Sequence, residues 1–228
     1  MHLRNVTLAI LALAAVAFCQ TPSTLDGVFQ IRYAANVQNG DSYVDIINTG
    51  WNGDPLLGPG VGSGFTPAGA NLGNMCVNVY VMSSDEQLIG CCSCLLTPNQ
   101  VRYLSVRNDF LGPQQTLTGA TESALTIKLI GSKPGAADCK NSAATAGAAD
   151  ALASGYVAFG TTIHTATVAG TFATTETPFL PVQLSNGGAG TNTELASLTG
   201  RCASILGNSS GYGICASCHV GALGATKF

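Results

Sequence analysis

The sequence predicts a mainly β protein: an antiparallel β-sandwich of immunoglobulin-like type with one short helix in its C-terminal region and a disulfide-stapled tail. Three observations lead there. Short period-2 segments rich in Val, Ile, Tyr and Thr fill the first two-thirds of the chain, and clusters of Gly, Pro, Asn and Asp separate them. Nine cysteines, all but Cys19 lying beyond residue 75, supply the staples.

The chain opens with a positive start, Met1-His2-Leu3-Arg4, followed by an apolar run from Val6 to Phe18. That run falls short of the roughly 18 to 20 apolar residues of a membrane span, so residues 1–20 are expected to be a secretory signal peptide. Ala15-Val16-Ala17 fits the small-x-small cleavage pattern, and a cut after Cys19 or Gln20 fits the composition as well. Lipidation of Cys19 is disfavoured because bulky Phe18 stands where a small residue is needed. Residues 21–228 are expected to form a single β-sandwich domain, since roughly 209 residues can bury one sizeable core. No later stretch is apolar for long enough to span a bilayer. Secretion or periplasmic export follows, in a compartment where thiols oxidise to disulfides.

Charge narrows the list of partners. Charged residues make up 9% of the chain, against roughly 25% for an average soluble domain. Nine Lys and Arg are spread thinly and the net charge is −3. No basic stripe exists to neutralise phosphates, so nucleic acid and anionic membrane are not expected as partners. An extracellular or cell-surface molecule is.

Strands are expected at Val28 to Tyr33, Tyr43 to Asn48, Met75 to Met82, Leu88 to Leu95, Val101 to Val106 and Ala124 to Ile130, then at Tyr156 to Thr167, Thr171 to Thr175 and Phe179 to Leu184. The alternation is clearest at 75–82. There Val77, Val79 and Val81 share one face and should line the core, leaving Cys76, Asn78 and Tyr80 on the other. Ser83-Ser84-Asp85-Glu86 makes a turn into the return strand, a hairpin. Two long loops stand out, Gly50 to Gly73 with the single Trp51, and the Ala-rich tract near 131–155 that carries Cys139. Asp41, Asp45 and Asp54 lack a calcium-loop spacing and read as turn residues. The helix is expected after a capping box at Thr191-Asn192-Thr193-Glu194, with Leu195, Leu198, Cys202 and Ile205 on one face and Gly207 as its C-terminal cap.

The disulfide candidates are Cys76, Cys91, Cys92, Cys94, Cys139, Cys202, Cys215 and Cys218. In an extended segment Cys92 and Cys94 face one way and Cys91 the other, so Cys91 and Cys92 should take different partners. A five-residue turn at 83–87 sets Cys76 opposite Cys94 and makes a cross-strand bond geometrically available, whereas a shorter turn sets it opposite Cys92. A local bridge among Cys202, Cys215 and Cys218 would tie the helix to the tail. Eight cysteines allow 105 connectivities, and spacing alone selects none of them.

The run Cys76-Val77-Asn78-Val79-Tyr80-Val81, the cluster Cys91-Cys92-Ser93-Cys94 followed by Thr97-Pro98-Asn99, the stretch Thr175-Glu176-Thr177 and the ending Gly211-Tyr212-Gly213-Ile214-Cys215 together resemble an uncharacterised family of secreted, cysteine-rich β-sandwich proteins from acidobacteria. The resemblance covers most of the chain after the signal. It implies export and a cysteine-stapled β domain, and it implies no reaction. It also implies a basic residue in place of His219, which makes this histidine a local departure.

Cys215-Ala216-Ser217-Cys218-His219 has the spacing of covalent haem c attachment, with Cys215 and Cys218 as thioether donors and His219 as an iron ligand. Met75, Met82 or His164 would supply the sixth ligand. Against haem stand the glycine-rich flanks at 211, 213, 221 and 224 and the β character of the rest. A four-thiolate zinc site from Cys215, Cys218 and two of Cys91, Cys92 and Cys94 conflicts with an oxidising compartment. Gly207-Asn208-Ser209-Ser210-Gly211 matches a nucleophile elbow in letters only, because a helix rather than a strand precedes Ser209 and no acid follows it. The expectation is therefore a secreted, non-enzymatic protein with a binding or structural role, no metal and no cofactor. Its contact site is expected in the loop around Trp51 unless that ring packs in the core. The alternative is a monohaem c-type electron carrier.

Overall fold

The computed structural model describes residues 27–54, 73–112, 122–134, 139, 152–166, 168, 170–185, 193–215 and 218–224. The expected signal peptide lies outside them, as do most of the two long loops. Among the described residues there are ten strands: β1 (Phe29–Ala35), β2 (Tyr43–Asn48), β3 (Met75–Ser83), β4 (Leu88–Leu96), β5 (Val101–Ser105), β6 (Ala124–Ser132), β7 (Tyr156–Thr165), β8 (Phe172–Pro178), β9 (Leu180–Pro181) and β10 (His219–Val220). A helix, α1 (Glu194–Gly207), lies between β9 and β10. Strands account for 47% of the described residues, so the protein is mainly β as the alternation predicts.

The strands form two antiparallel sheets, β4-β3-β6-β1-β9 and β10-β5-β2-β7-β8, packed as a sandwich. Val77, Val79 and Val81 meet Val44, Ile46 and Leu104 from the opposite sheet in the inter-sheet core, which Phe110 joins from the turn after β5. The other face of β3 is buried too, which the alternation does not reveal. Tyr80 and Cys91 join Val28, Phe29 and Ile130 beneath Leu195, Leu198 and Cys202 of α1, forming a second apolar cluster. The order of layers is thus helix, sheet, sheet, and a strand covered on both faces tolerates an unbroken apolar run. Buried Asn78 is accommodated there because its Nδ2 donates to Ile130 O at 3.0 Å and Ser132 Oγ at 2.9 Å.

α1 starts two residues later than the expected box. Its N-cap is Thr193, whose hydroxyl accepts from Ala196 N at 3.2 Å. Glu194 is therefore the first helical residue and pairs with Lys128 of β6. Gly207 is the last helical residue and not the cap. Asn208 caps the helix in a right-handed conformation and Ser209 takes the positive φ, +57°.

Gly131 marks a place where backbone must approach closely. A Cβ there would stand 2.2 Å from Ala153 O, where residues 152–153 lie against the end of β6. The opposite edge of the sandwich is open: β8 is exposed along its whole length, a threonine-rich outer strand paired to β7 alone.

Candidate functional site

Of the nine cysteines, eight close four disulfides: Cys76–Cys139, Cys91–Cys202, Cys92–Cys215 and Cys94–Cys218. Their Cα separations run from 5.5 to 5.9 Å, within the span a bridge requires. Cys91 and Cys92 do take different partners on different faces, as their alternation predicts. Two expectations are corrected. Cys76 does not bond across the hairpin to Cys94 or Cys92. The ladder begins with Met82 opposite Leu88, a register that would place Cys76 opposite Cys94. A bulge between Val81 and Met82 then shifts it by one residue, so Val77 faces Cys94 and Cys76 faces Leu95. One residue of slip turns Cys92 and Cys94 to the inner face with Val79 and Val77, so Cys76, on the outer face with Asn78 and Tyr80, meets Cys139 instead. Nor do Cys202, Cys215 and Cys218 bridge one another. Each returns separately to β4, which anchors the helix through Cys91 and the tail through Cys92 and Cys94.

The haem-like motif lies within this arrangement. Cys215 and Cys218 are in disulfides, and His219 lies in β10, paired to Tyr103 of β5. The imidazole stacks on the Tyr103 ring at 4.8 Å and 25°, and its Nε2 lies 3.1 Å from Asp109 Oδ1. Asp109 is buried in a π-helical turn at Val106–Phe110 and accepts a bond from Ser105 N at 2.6 Å. The proposed sixth ligands are not brought to it. His164 is in β7, three strands across and five residues further along, roughly 20 Å distant, where it bonds Thr175 Oγ1 at 2.8 Å. Met75 and Met82 belong to the other sheet. The cysteines of the zinc alternative are likewise paired as disulfides, and no group of three or more metal-ligating side chains occurs among the described residues.

The aspartates divide. Asp41 accepts from Ser105 Oγ at 2.6 Å and Arg107 N at 2.9 Å, and Asp54 accepts from Asn99 Nδ2 at 2.5 Å, so both stabilise turns. Asp45 is not a turn residue. It lies in β2, buried, with Oδ1 accepting from Leu223 N at 2.8 Å and Oδ2 without a partner. Burial, the larger effect, raises its pKa; the Leu223 bond opposes this and the Glu176 charge adds to it.

Trp51 is not a core residue: 77% of its surface is exposed. Its turn is fixed to the start of β7, since Thr49 N donates to Gly155 O at 2.9 Å and Asn52 Nδ2 to Ser154 O at 2.7 Å.

Two grooves remain. One, of about 500 Å³, separates α1 from the sheet; there Lys128 pairs with Glu194, and exposed Arg201 donates from Nη1 to the backbone Glu86 O at 2.7 Å. The other, about 480 Å³, opens at the edge where β9 ends, between β1 and the β7–β8 hairpin. Ile31, Tyr33, Pro178, Leu180 and Val182 form its walls, and Arg32 lines it together with Thr162 and Thr177. Arg32 is 6% exposed, yet no carboxylate among the described residues lies within ion-pair distance. Its Nη1 donates to Thr177 O at 2.7 Å and Thr177 Oγ1 at 2.6 Å, its Nη2 to Thr162 Oγ1 at 2.7 Å, and Nε has no partner. The guanidinium also lies over the Phe179 ring, 5.9 Å from its centroid. Desolvation lowers its pKa, and the more distant Glu176 charge opposes that. Gly160 makes room for it, because a Cβ there would fall 2.4 Å from Arg32 Nε. Sequence reasoning missed this site. The available signal was an arginine at the inward position of a period-2 strand, between Ile31 and Tyr33.

The chain matches no protein-family model, no curated protein and no solved structure.

Proposed function

We propose that the protein is an exported, non-enzymatic binding module of the cell exterior or periplasm. The observation that carries this reading is the set of four disulfides, three of them radiating from one strand, because such a framework persists only where thiols are oxidised. No helix among the described residues is long and apolar enough to cross a membrane. The bridges hold a rigid scaffold that presents Trp51 and the Arg32 groove. An exposed tryptophan on a pinned turn supplies large contact area at little entropic cost. The electron-carrier alternative has less support: thioether attachment needs the sulfurs of Cys215 and Cys218, and both are engaged with β4.

The test is the mass of the protein recovered from an exported fraction, before and after reduction. Reduction is expected to add eight hydrogens to the residues of the four bridges. More than two alkylatable thiols before reduction would refute the framework. Expression in a host competent for cytochrome c maturation separates the two functions, and a Soret band that survives denaturation would establish the carrier instead.

A further inference from the structure

We infer that the Arg32 groove binds a small amphipathic monocarboxylate, with the carboxylate at Arg32, Thr162 and Thr177 and the apolar tail along Tyr33, Leu180 and Val182. This deepens the binding-module reading and rests on it. Three independent features of the site point to that ligand.

The charge is the first. A buried cation is ordinarily paired with an anion, since desolvating it alone is costly. Arg32 is held by two hydroxyls and a carbonyl, which satisfy donors but carry no countercharge. Glu176 acts on it only from beyond ion-pair distance. The missing partner is one negative charge, and a planar guanidinium prefers a carboxylate.

Space is the second. The glycine at 160 is the residue type that lets the guanidinium lie where it does, with a would-be Cβ 2.4 Å from Nε and 2.5 Å from Cδ. Thr162 and Thr177 fix it from both sides. The arginine is therefore positioned before any ligand arrives.

The walls are the third. Tyr33 is 63% and Leu180 67% exposed, both at the mouth of a groove whose volume of about 480 Å³ lies within the usual range for small-molecule sites, roughly 300 to 1,000 Å³. Exposed apolar side chains leading to one buried cation match a molecule with an apolar tail and an anionic head. The helix–sheet groove lacks this asymmetry, because Lys128 already has Glu194.

Octanoate serves as the probe and octan-1-ol as its uncharged counterpart, each titrated at pH 7 into the oxidised full-length protein and followed by NMR. Saturable shifts are expected at the Arg32 Nε–H signal and at the amides of Thr162 and Thr177, with the alcohol binding at least tenfold more weakly. Leu180→Glu, at an exposed wall position, should weaken octanoate at least tenfold while leaving the melting temperature unchanged. Arg32→Met should abolish binding if it folds; if it does not, the alcohol comparison and Leu180→Glu decide the matter. Equal affinity for acid and alcohol, indifference to Leu180→Glu, shifts confined to another surface, or no saturation would each overturn the assignment. Such a failure would leave the exported-module reading intact, since that stands on the thiol count.

Discussion

The imidazole of His219 lies against the buried carboxylate of Asp109, with Nε2 3.1 Å from Oδ1 and 3.2 Å from Oδ2. The carboxylate also accepts the Ser105 amide, so it joins the π-helical turn to the C-terminal strand. Asp109→Ala should lower unfolding free energy by about 1 to 3 kcal/mol, because the Ser105 amide loses its acceptor in a dry site. His219→Phe keeps an aromatic ring over Tyr103 and loses only the bond, so its cost should be about 1 kcal/mol. Urea denaturation of the two variants measures both, and equal costs would show that the contact is a surface detail.

Disulfide-linked peptides from a non-reduced digest should give Cys91 with Cys202 and Cys76 with Cys139. A Cys76–Cys94 peptide would show that the ladder lacks its bulge. Replacing Cys91 and Cys202 together by Ala should cost about 2 to 5 kcal/mol and loosen α1 from β4, seen as faster hydrogen exchange within residues 194–207.

Asp45 provides a pH test. Its folded pKa is raised, so the folded state binds protons more readily than the unfolded one. The stabilising contribution is then full below the unfolded value, about 3.9, and is lost as pH rises through the folded value. Asp45→Asn should therefore be more stable than the parent at pH 7, with the difference closing as pH falls towards 4. A constant difference across that window would remove Asp45 as its source.

Gly160→Ala tests how closely Arg32 is fitted. The added methyl meets the guanidinium stem, and overpacking of this kind costs about 1 to 3 kcal/mol. Combined with Arg32→Ala the penalty should largely disappear, giving a coupling of about 0.5 to 3 kcal/mol in a double-mutant cycle. Additive costs would mean that the two residues do not compete for space.

Trp51 is the single tryptophan, and its exposure makes it a reporter. Its native fluorescence should be red-shifted, readily quenched by acrylamide and little changed on unfolding. Trp51→Ala should alter stability by no more than about 0.5 kcal/mol.

Strands were legible wherever alternation was strong: β2 spans the residues the pattern marks, Tyr43 to Asn48, and β3 differs by one residue. The helix was legible from Leu195, Leu198 and Cys202, though its start was not, because Thr191 and Thr193 offer the same capping chemistry. β10 was invisible, being two residues whose strand character comes from Tyr103 and Arg102 opposite them. Disulfide partners were illegible for a more general reason. A single bulge at Val81 and Met82 decides which residue of β4 Cys76 faces, and nothing in composition announces a bulge. The Arg32 site depends on three segments far apart in the chain, at 32, 160–162 and 177, and local pattern cannot bring them together.

Because Cys91, Cys92 and Cys94 all wait for partners 111 to 124 residues downstream, a chain emerging N-terminus first presents three reactive thiols long before their mates exist. Cys76 and Cys139 both precede those mates, so theirs is the one bridge of the four whose two cysteines are made before residue 202. The final stretch from residue 202 onward therefore holds the partner of every cysteine in β4. A chain cut before it would carry three unpaired thiols on a single strand.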